Sequence, residues 1–219
     1  MLISDNVFQD DVSQTDVETL KRSQSMDYKH TALILVGYQN DYFAKNGILR
    51  GVVEEPGRVD EVLQNTLALI ARLAKTEASI ISTPIVLTPD YRALASPVGI
   101  LHTIKESGAF AAGTPGAQDI PELLAFGDRI QYVKGKVGFN AFSDTLLDEV
   151  LKAKGIKQVL LAGMVTSLCI DSTGRAAYER GYSVTVLSDC TSARTQIEQS
   201  YFCSSVFPLY GAVISSSQV

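Results

Sequence analysis

The chain has 219 residues, a length that suits one sizeable domain. Hydrophobic residues make up 46% of it and charged residues 20%, which excludes a disordered chain and predicts a large core. The net charge of −5 excludes the basic surface that nucleic-acid binding needs. No apolar run reaches the ~20 residues that span a bilayer, so no membrane association is expected. Three cysteines without a C-x-x-C pair indicate reduced thiols in a cytoplasmic protein.

Residues 1–29, which are polar and acidic, are predicted to form an N-terminal arm, and residues 30–219 one domain. The arm lacks the basic segment and apolar core of a secretory signal. A short helix is expected from Asp16 to Ser23. The arm could clasp a second subunit, although a frayed terminus is the commoner outcome.

Strands and helices alternate along the domain. The first strand, Thr31–Val36, is an almost continuous apolar run of the kind buried on both faces of a parallel sheet. Alternation with short links predicts right-handed crossovers and an α/β fold, a three-layer α-β-α arrangement around a mostly parallel, doubly wound sheet of about six strands. Further strands are predicted at 78–87, 130–133, 158–162, 182–187 and 212–215, and helices at 57–75, 144–154, 168–180 and 195–206.

The segment from Thr88 to Ile120 carries prolines and glycines and little periodicity. A stretch of this length in a compact domain is typical of a binding loop, here with one short helix. Ligands of open parallel sheets bind beyond the carboxyl ends of the strands. Gly37, Lys136 and the turn from Gly163 to Cys169 all follow predicted strands, so the sequence predicts a ligand site where they meet.

The turn GMVTSLC, Gly163 to Cys169, connects a buried strand to a helix. A thiol at a helix N-terminus meets unpaired N–H groups and the positive end of the helix dipole, which favour the thiolate. The same N–H groups can hold a developing oxyanion. The alternative is a free cysteine that packs as a small hydrophobe.

Three motifs resemble the isochorismatase-like cysteine hydrolases, the family of nicotinamidases, N-carbamoylsarcosine and maleamate amidases, and isochorismatase. Gly-x-x-Thr-x-x-Cys, followed by Ile-Asp-Ser-Thr-x-Arg-x-Ala, is similar to the nucleophile turn. LVGYQNDYF (35–43) resembles the first-strand motif hydrophobic-Asp-x-Gln-Asn-Asp-Phe, and KVGFNAF (136–142) resembles the segment of the catalytic lysine. GTPGAQDIPEL (113–123) also resembles a family segment. The motifs occur in family order from about residue 30 to the C-terminus.

The resemblance implies a role for each matching residue. Cys169 would attack a carbonyl carbon to form a thioester that water later hydrolyses. Lys136 would keep the sulfur as thiolate, the alternative being a solvated surface lysine. The backbone N–H groups of Val165 and Cys169 would form an oxyanion hole, and a cis peptide is expected between Met164 and Val165. The pocket candidates are Gly37, Tyr42, Phe43, Phe139 and Leu168, although core packing explains the aromatic ones equally well.

One position departs from the family. The aspartate that ends the first strand, a proton-transfer group, aligns with Gly37, and general acid–base help is worth about 10²–10⁴ in rate. Asp41 matches a second aspartate of structural role, Tyr38 should face away, and Asp90 and Glu106 are the candidate replacements. Either the pocket is enlarged for a bulkier substrate, or another residue supplies the proton route, or hydrolysis has been lost.

Other chemistries are disfavoured by the sequence. The chain has two histidines, His30 and His102, and lacks the Asp-x-His motif of the metal-binding nicotinamidases, so no metal is expected. No G-x-G-x-x-G or Walker-type motif follows a strand, so no nucleotide cofactor is expected either. Isochorismatases need the aspartate and can dispense with the cysteine. This chain has the cysteine and lacks the aspartate, so isochorismate hydrolysis is not expected. Asp189, Cys190 and Cys203 are interpreted as structural.

The leading hypothesis is therefore a cofactor-independent hydrolase of a small amide or carbamoyl C–N bond. The rival is a ligand-binding or thiol-reactive protein on the same scaffold that has lost catalysis. The expected partner is a small-molecule substrate, and the resemblance alone implies a homo-oligomer, either dimer or tetramer.

Overall fold

A computed structural model describes residues 26–219 of the chain, so most of the predicted arm, with its helix at 16–23, lies outside the described residues. Within them six strands form one sheet in the order β3-β2-β1-β4-β5-β6, and every neighbouring pair is parallel. The predicted fold class is confirmed. The strands are β1 Thr31–Val36, β2 Ser79–Thr83, β3 Gln131–Tyr132, β4 Gln158–Met164, β5 Ser183–Ser192 and β6 Ala212–Ile214.

Seven α-helical segments connect the strands of the described region. Two of them, Asn40–Phe43 and Pro121–Leu124, are single turns that no periodicity could predict. The segments are α1 Asn40–Phe43, α2 Pro56–Leu73, α3 Gly99–Ser107, α4 Pro121–Leu124, α5 Leu147–Ala153, α6 Asp171–Glu179 and α7 Gln196–Tyr201. None of the helices in residues 26–219 is long and apolar enough to cross a membrane.

The sheet separates two hydrophobic cores because successive strand residues point to opposite faces. Leu33 and Leu35 of β1 pack on the face that α2 covers. Ala32, Ile34 and Val36 pack on the other face, with residues of α5 and α6. All six residues of β1 are buried, which explains why five of them, Ala32 to Val36, are apolar.

Several element boundaries differ from the predictions for identifiable reasons. β2 ends at Thr83 because Pro84, which follows it, has no N–H to donate to a ladder. The helix predicted from Asp144 begins at Leu147, since Asp144 itself has a positive φ of 55°. β5 continues to Ser192, five residues beyond the predicted end, and its pairing with β4 shifts register between Leu161 and Gly163.

The chain order of the sheet reverses between β1 and β4, its two central strands. Helices that follow the two strands lie on opposite faces, so a crevice opens beyond their carboxyl ends. β1 leads into Gly37 and β4 leads into the turn that carries Cys169. The topology therefore places these segments side by side, as predicted.

Candidate active site

The nucleophile turn follows β4 without a loop. The Met164–Val165 peptide is cis, as expected from the resemblance, and a π-helical turn at Thr166–Ile170 then leads into α6. The helical segment thus begins two residues before the predicted start at Leu168. Single π turns of this kind are frequent at functional sites. The turn at Thr166–Ile170 places Cys169, which is buried, in the first turn of a helix.

Gly163 permits the close approach of the two central strands. It has a φ of 126°, and a Cβ at this position would lie 1.9 Å from the carbonyl oxygen of Val36. Any side chain would therefore push β4 away from β1 or force the backbone into another conformation. The glycine fixes the distance between the end of β1 and the turn of Cys169.

Lys136 lies in the loop after β3, and its side chain is fully buried. The Nζ atom is 3.7 Å from Cys169 Sγ and also donates to the carbonyl oxygen of Gly138. Within residues 26–219, no carboxylate lies within salt-bridge distance of it. The alternative of a solvated surface lysine is wrong, since this amine is held against the sulfur.

The electrostatics of this pair follow from burial. Desolvation lowers the pKa of Lys136 below its ordinary value, and the charge of Cys169 opposes that shift in part. A buried ammonium is stable only beside an anion or several hydrogen-bond acceptors. Among the described residues, the amine of Lys136 contacts the Gly138 carbonyl oxygen and Cys169 Sγ. The site therefore places a cysteine sulfur beside an ammonium group that gives up its proton more readily than an exposed lysine does.

A narrow cavity opens beside Cys169. Tyr42, Phe139 and Leu168, predicted for the pocket, line it. The remaining lining is mostly aliphatic. Ile100, Leu101 and Ile104 come from α3, inside the predicted binding excursion at 88–120, and the other members are Ile85, Leu87, Val137, Gly138 and Val165. Tyr42 and Cys169 are its two titratable members in the described chain.

Two of the predicted pocket residues lie outside this lining. Phe43 stacks on Tyr38 with ring centroids 4.7 Å apart, so the expectation that it walls the pocket is wrong and the core-packing alternative holds. Gly37 has a φ of 77°, and a Cβ there would lie 3.3 Å from the ring of Tyr42 and from the Met164 carbonyl oxygen. The space next to Gly37 is thus occupied by Tyr42 rather than left open.

The carboxylates considered as replacement acids lie elsewhere. Asp90 and Glu106 are exposed and absent from the lining. The hydrogen bond from Thr88 lowers the pKa of Asp90, which makes it a poorer proton donor. Asp41 accepts a 2.6 Å hydrogen bond from the backbone N–H of Phe110, so it has the structural role expected of it.

Sequence reasoning missed the polar cluster that holds the nucleophile turn. The Gln199 side chain on α7 is buried and accepts from Thr166 Oγ1 at 2.7 Å and from the Ala193 N–H at 2.8 Å. Its amide nitrogen donates to the Ser188 carbonyl oxygen. Nothing in the polar stretch TSARTQIEQS distinguishes this glutamine from its exposed neighbours. The pairing of α7 with the turn of Cys169 is visible only in three dimensions.

The residue after the cis peptide, Val165, lies at the same site. Among the described residues no acceptor pairs with its N–H, while its carbonyl oxygen accepts from Leu168 and Ile170 at 3.1 and 3.2 Å. Val165 also contributes to the cavity lining, next to Cys169. An unpaired N–H at this position is available to an oxygen atom bound in the cavity.

Residues 31–218 match the sequence model of the isochorismatase domain, which covers the whole sheet and the site. The chain belongs to the isochorismatase family. It is 28% identical over 172 residues to the uncharacterized isochorismatase family protein YddQ of Bacillus subtilis, covering 77% of this chain and 81% of that protein. It is 27% identical to the ureidoacrylate amidohydrolase RutB of Methylorubrum extorquens over 76% of this chain and 71% of that one.

Solved structures of the isochorismatase fold superimpose on the chain. A cysteine hydrolase from Pseudomonas syringae pv. phaseolicola matches with a TM-score of 0.72 and 22% identity, over 88% of this chain and 92% of that one. At this identity the match shows the fold alone. The three motifs from which the family was predicted all lie inside the matched residues, and the isochorismatase-family scaffold brings two of them, those of Cys169 and Lys136, into contact.

The three thiols are expected to differ in reactivity. Burial raises the pKa of the Cys190 thiol to about 11 and also raises that of Cys203, so both are thiols at neutral pH. Iodoacetamide at neutral pH should therefore alkylate Cys169 first, since the thiolate is the nucleophile. Peptide mapping by mass spectrometry measures the order. Preferential labelling of Cys203, the more exposed of the other two, would contradict it.

Proposed function

We propose that this isochorismatase-family protein hydrolyses a C–N bond of a small amide or carbamoyl compound through a thioester on Cys169. The observation that carries the proposal is the buried contact between Lys136 Nζ and Cys169 Sγ at 3.7 Å. A lysine without a nearby carboxylate is costly to bury, so a structural role alone explains it poorly. A thiolate nucleophile gives the pair a chemical purpose.

The first half-reaction forms the acyl-enzyme. Cys169 Sγ attacks the carbonyl carbon, and the N–H groups of Val165 and Cys169 donate to the oxygen as it gains negative charge. The tetrahedral adduct collapses, the C–N bond breaks, and the nitrogen leaves with a proton from the enzyme. Lys136, whose Nζ lies 3.7 Å from the sulfur, supplies that proton, and burial favours its release.

The second half-reaction releases the acid. Water attacks the thioester carbon, its proton passes to the neutral amine of Lys136, and the sulfur leaves as thiolate. The ammonium–thiolate pair is thereby restored with one water consumed. No cofactor takes part in either half-reaction.

The cavity favours a substrate without strong charge. Its lining in the described chain includes aliphatic and aromatic side chains but no arginine, histidine or carboxylate. An anionic substrate would leave its charge unpaired there, which is costly in an apolar site. We therefore assign neutral amides with a small apolar substituent as the substrate class. RutB, by its name, acts on the acidic compound ureidoacrylate, so the two proteins would differ in substrate.

The proposal is tested by intact-mass spectrometry during incubation with a panel of neutral amides and carbamoyl compounds. The expected result is a covalent acyl adduct that maps to Cys169 and disappears as the acid accumulates. A rival binding protein would bind a panel member without any adduct or product. That outcome, across aliphatic and aromatic amides, would contradict the hydrolase assignment.

A further inference from the structure

Tyr42 combines burial with an unpaired hydroxyl. The residue is 2% exposed and lines the cavity together with Cys169. Within residues 26–219 no hydrogen bond to its phenol oxygen is formed, although buried tyrosines usually find a partner. The other buried tyrosines follow that rule: Tyr38 bonds Thr66 and Cys190, Tyr91 bonds Ala109, and Tyr182 bonds Asp148. The hydroxyl of Tyr42 is thus available to a bound molecule.

The Tyr42 ring lies next to position 37, where the family motif has an aspartate and this chain has glycine. A Cβ on Gly37 would lie 3.3 Å from two ring atoms of Tyr42, so the ring covers the site where a side chain of residue 37 would begin. In the first-strand motif, hydrophobic-Asp-x-Gln-Asn-Asp-Phe, the residue aligned with Tyr42 is phenylalanine. This chain has therefore lost a carboxyl group at position 37 and gained a hydroxyl group five residues later, in the adjacent space.

We infer that the Tyr42 hydroxyl is the catalytic group that hands a proton to the leaving nitrogen, the step for which Gly37 has no side chain. The inference rests on the proposed C–N hydrolysis at Cys169. As the C–N bond breaks, the nitrogen takes the phenol proton, and the phenol oxygen takes a replacement from the ammonium group of Lys136. In the second half-reaction, the proton of the attacking water returns to the amine of Lys136.

The electrostatics fix the direction of this transfer. Burial raises the pKa of the Tyr42 phenol well above its usual value, and the charge of Cys169 adds to the effect. The phenol is therefore protonated at neutral pH and acts as a donor rather than as a base. Burial lowers the pKa of Lys136. Once the leaving nitrogen has taken a proton, either Tyr42 or Lys136 must be one proton short. Because Lys136 has the lowered pKa, it is the group that stays deprotonated, and the Tyr42 phenol regains its proton.

The test compares two substrates that share an acyl group and differ in the leaving group, p-nitrophenyl acetate and p-nitroacetanilide. The nitrophenolate ion leaves without a proton, whereas the anilide nitrogen requires one. Tyr42→Phe should lower kcat for the anilide by about 10²-fold or more and change kcat for the ester little. The matched control is Tyr38→Phe, whose hydroxyl bonds Thr66 at 2.6 Å. It should lower the thermal midpoint and leave both rates unchanged.

Each outcome decides the matter. An unchanged anilide rate in Tyr42→Phe, or an equal loss for both substrates, overturns the proton-donor role. A fall in the thermal midpoint of Tyr42→Phe equal to that of Tyr38→Phe would overturn the claim that the hydroxyl has no partner. If wild-type protein forms no adduct on Cys169 with either substrate, the proposed function fails and the Tyr42 role fails with it. An adduct in wild type with normal anilide turnover in Tyr42→Phe removes the Tyr42 role alone.

Discussion

Lys136→Met is expected to lower kcat/KM for amide substrates by about 10³-fold while raising the free energy of unfolding at neutral pH by about 1–2 kcal/mol. Activity falls because the variant has no cation to hold the thiolate and no ammonium to replace the proton that the leaving nitrogen takes. Stability rises because methionine fills the buried space without desolvating a charge. Cys169 can remain a neutral thiol, and the half-buried Gly138 carbonyl can bond water instead.

The stability gain should depend on pH with a defined sign. The pKa of Lys136 is lower in the folded protein than its ordinary value of 10.5, so the unfolded chain binds more protons between the two values. The cost of burying the ammonium is therefore complete below the folded pKa and fades as the pH rises towards 10.5. The difference in the free energy of unfolding between Lys136→Met and wild type, measured by urea denaturation, should therefore become smaller over that pH range.

The control for this prediction is Lys134→Met, an exposed lysine two residues earlier. It should leave kcat/KM unchanged and the free energy of unfolding within about 0.5 kcal/mol of the wild-type value. If Lys136→Met were destabilised and still active, Lys136 would be a structural residue, and its assignment to the reaction would be wrong.

Cys169→Ala is expected to abolish turnover, with a loss of about 10⁴-fold or more in kcat, because the cavity lining in the described chain holds no other cysteine, serine or threonine. The substitution also removes the anion beside Lys136, so the variant should be less stable than wild type at neutral pH. A coupled assay of acid release measures the first effect and thermal unfolding measures the second.

Cys190→Ala is the matched control. Cys190 is fully buried in the core, and its loss leaves a small cavity that should lower stability by about 1–2 kcal/mol without changing kcat. Turnover by Cys169→Ala at the wild-type rate would show that the nucleophile lies elsewhere.

The fold followed from the sequence because its strands are buried on both faces. The runs TALILV and QVLLA cannot lie in any exposed element, and their alternation with helices leaves few topologies. The hydrophobic patterns could not predict the elements whose bounds depend on tertiary contacts. The two single-turn helices, the extension of β5 and the π turn before α6 depend on contacts that form only when the strands are paired.

The parts of the site that lie within one continuous stretch of sequence could be predicted. The turn that carries Cys169 and the segment of Lys136 are visible as motifs, but their contact depends on the packing of the loop after β3. Two contributions could not be predicted. Gln199 acts through a pairing between α7 and the nucleophile turn, and the role inferred for Tyr42 depends on the unpaired state of its hydroxyl.

The central claim is that Cys169 and Lys136 form a thiolate–ammonium pair in the resting protein, and the ultraviolet absorbance of the thiolate tests it most directly. The account predicts that wild-type protein at neutral pH shows one thiolate more than Cys169→Ala, and that Lys136→Met loses this signal. Cys190 and Cys203 contribute nothing there because burial keeps both protonated. Identical spectra for wild type and Cys169→Ala would contradict the pair, and with it the proposed chemistry.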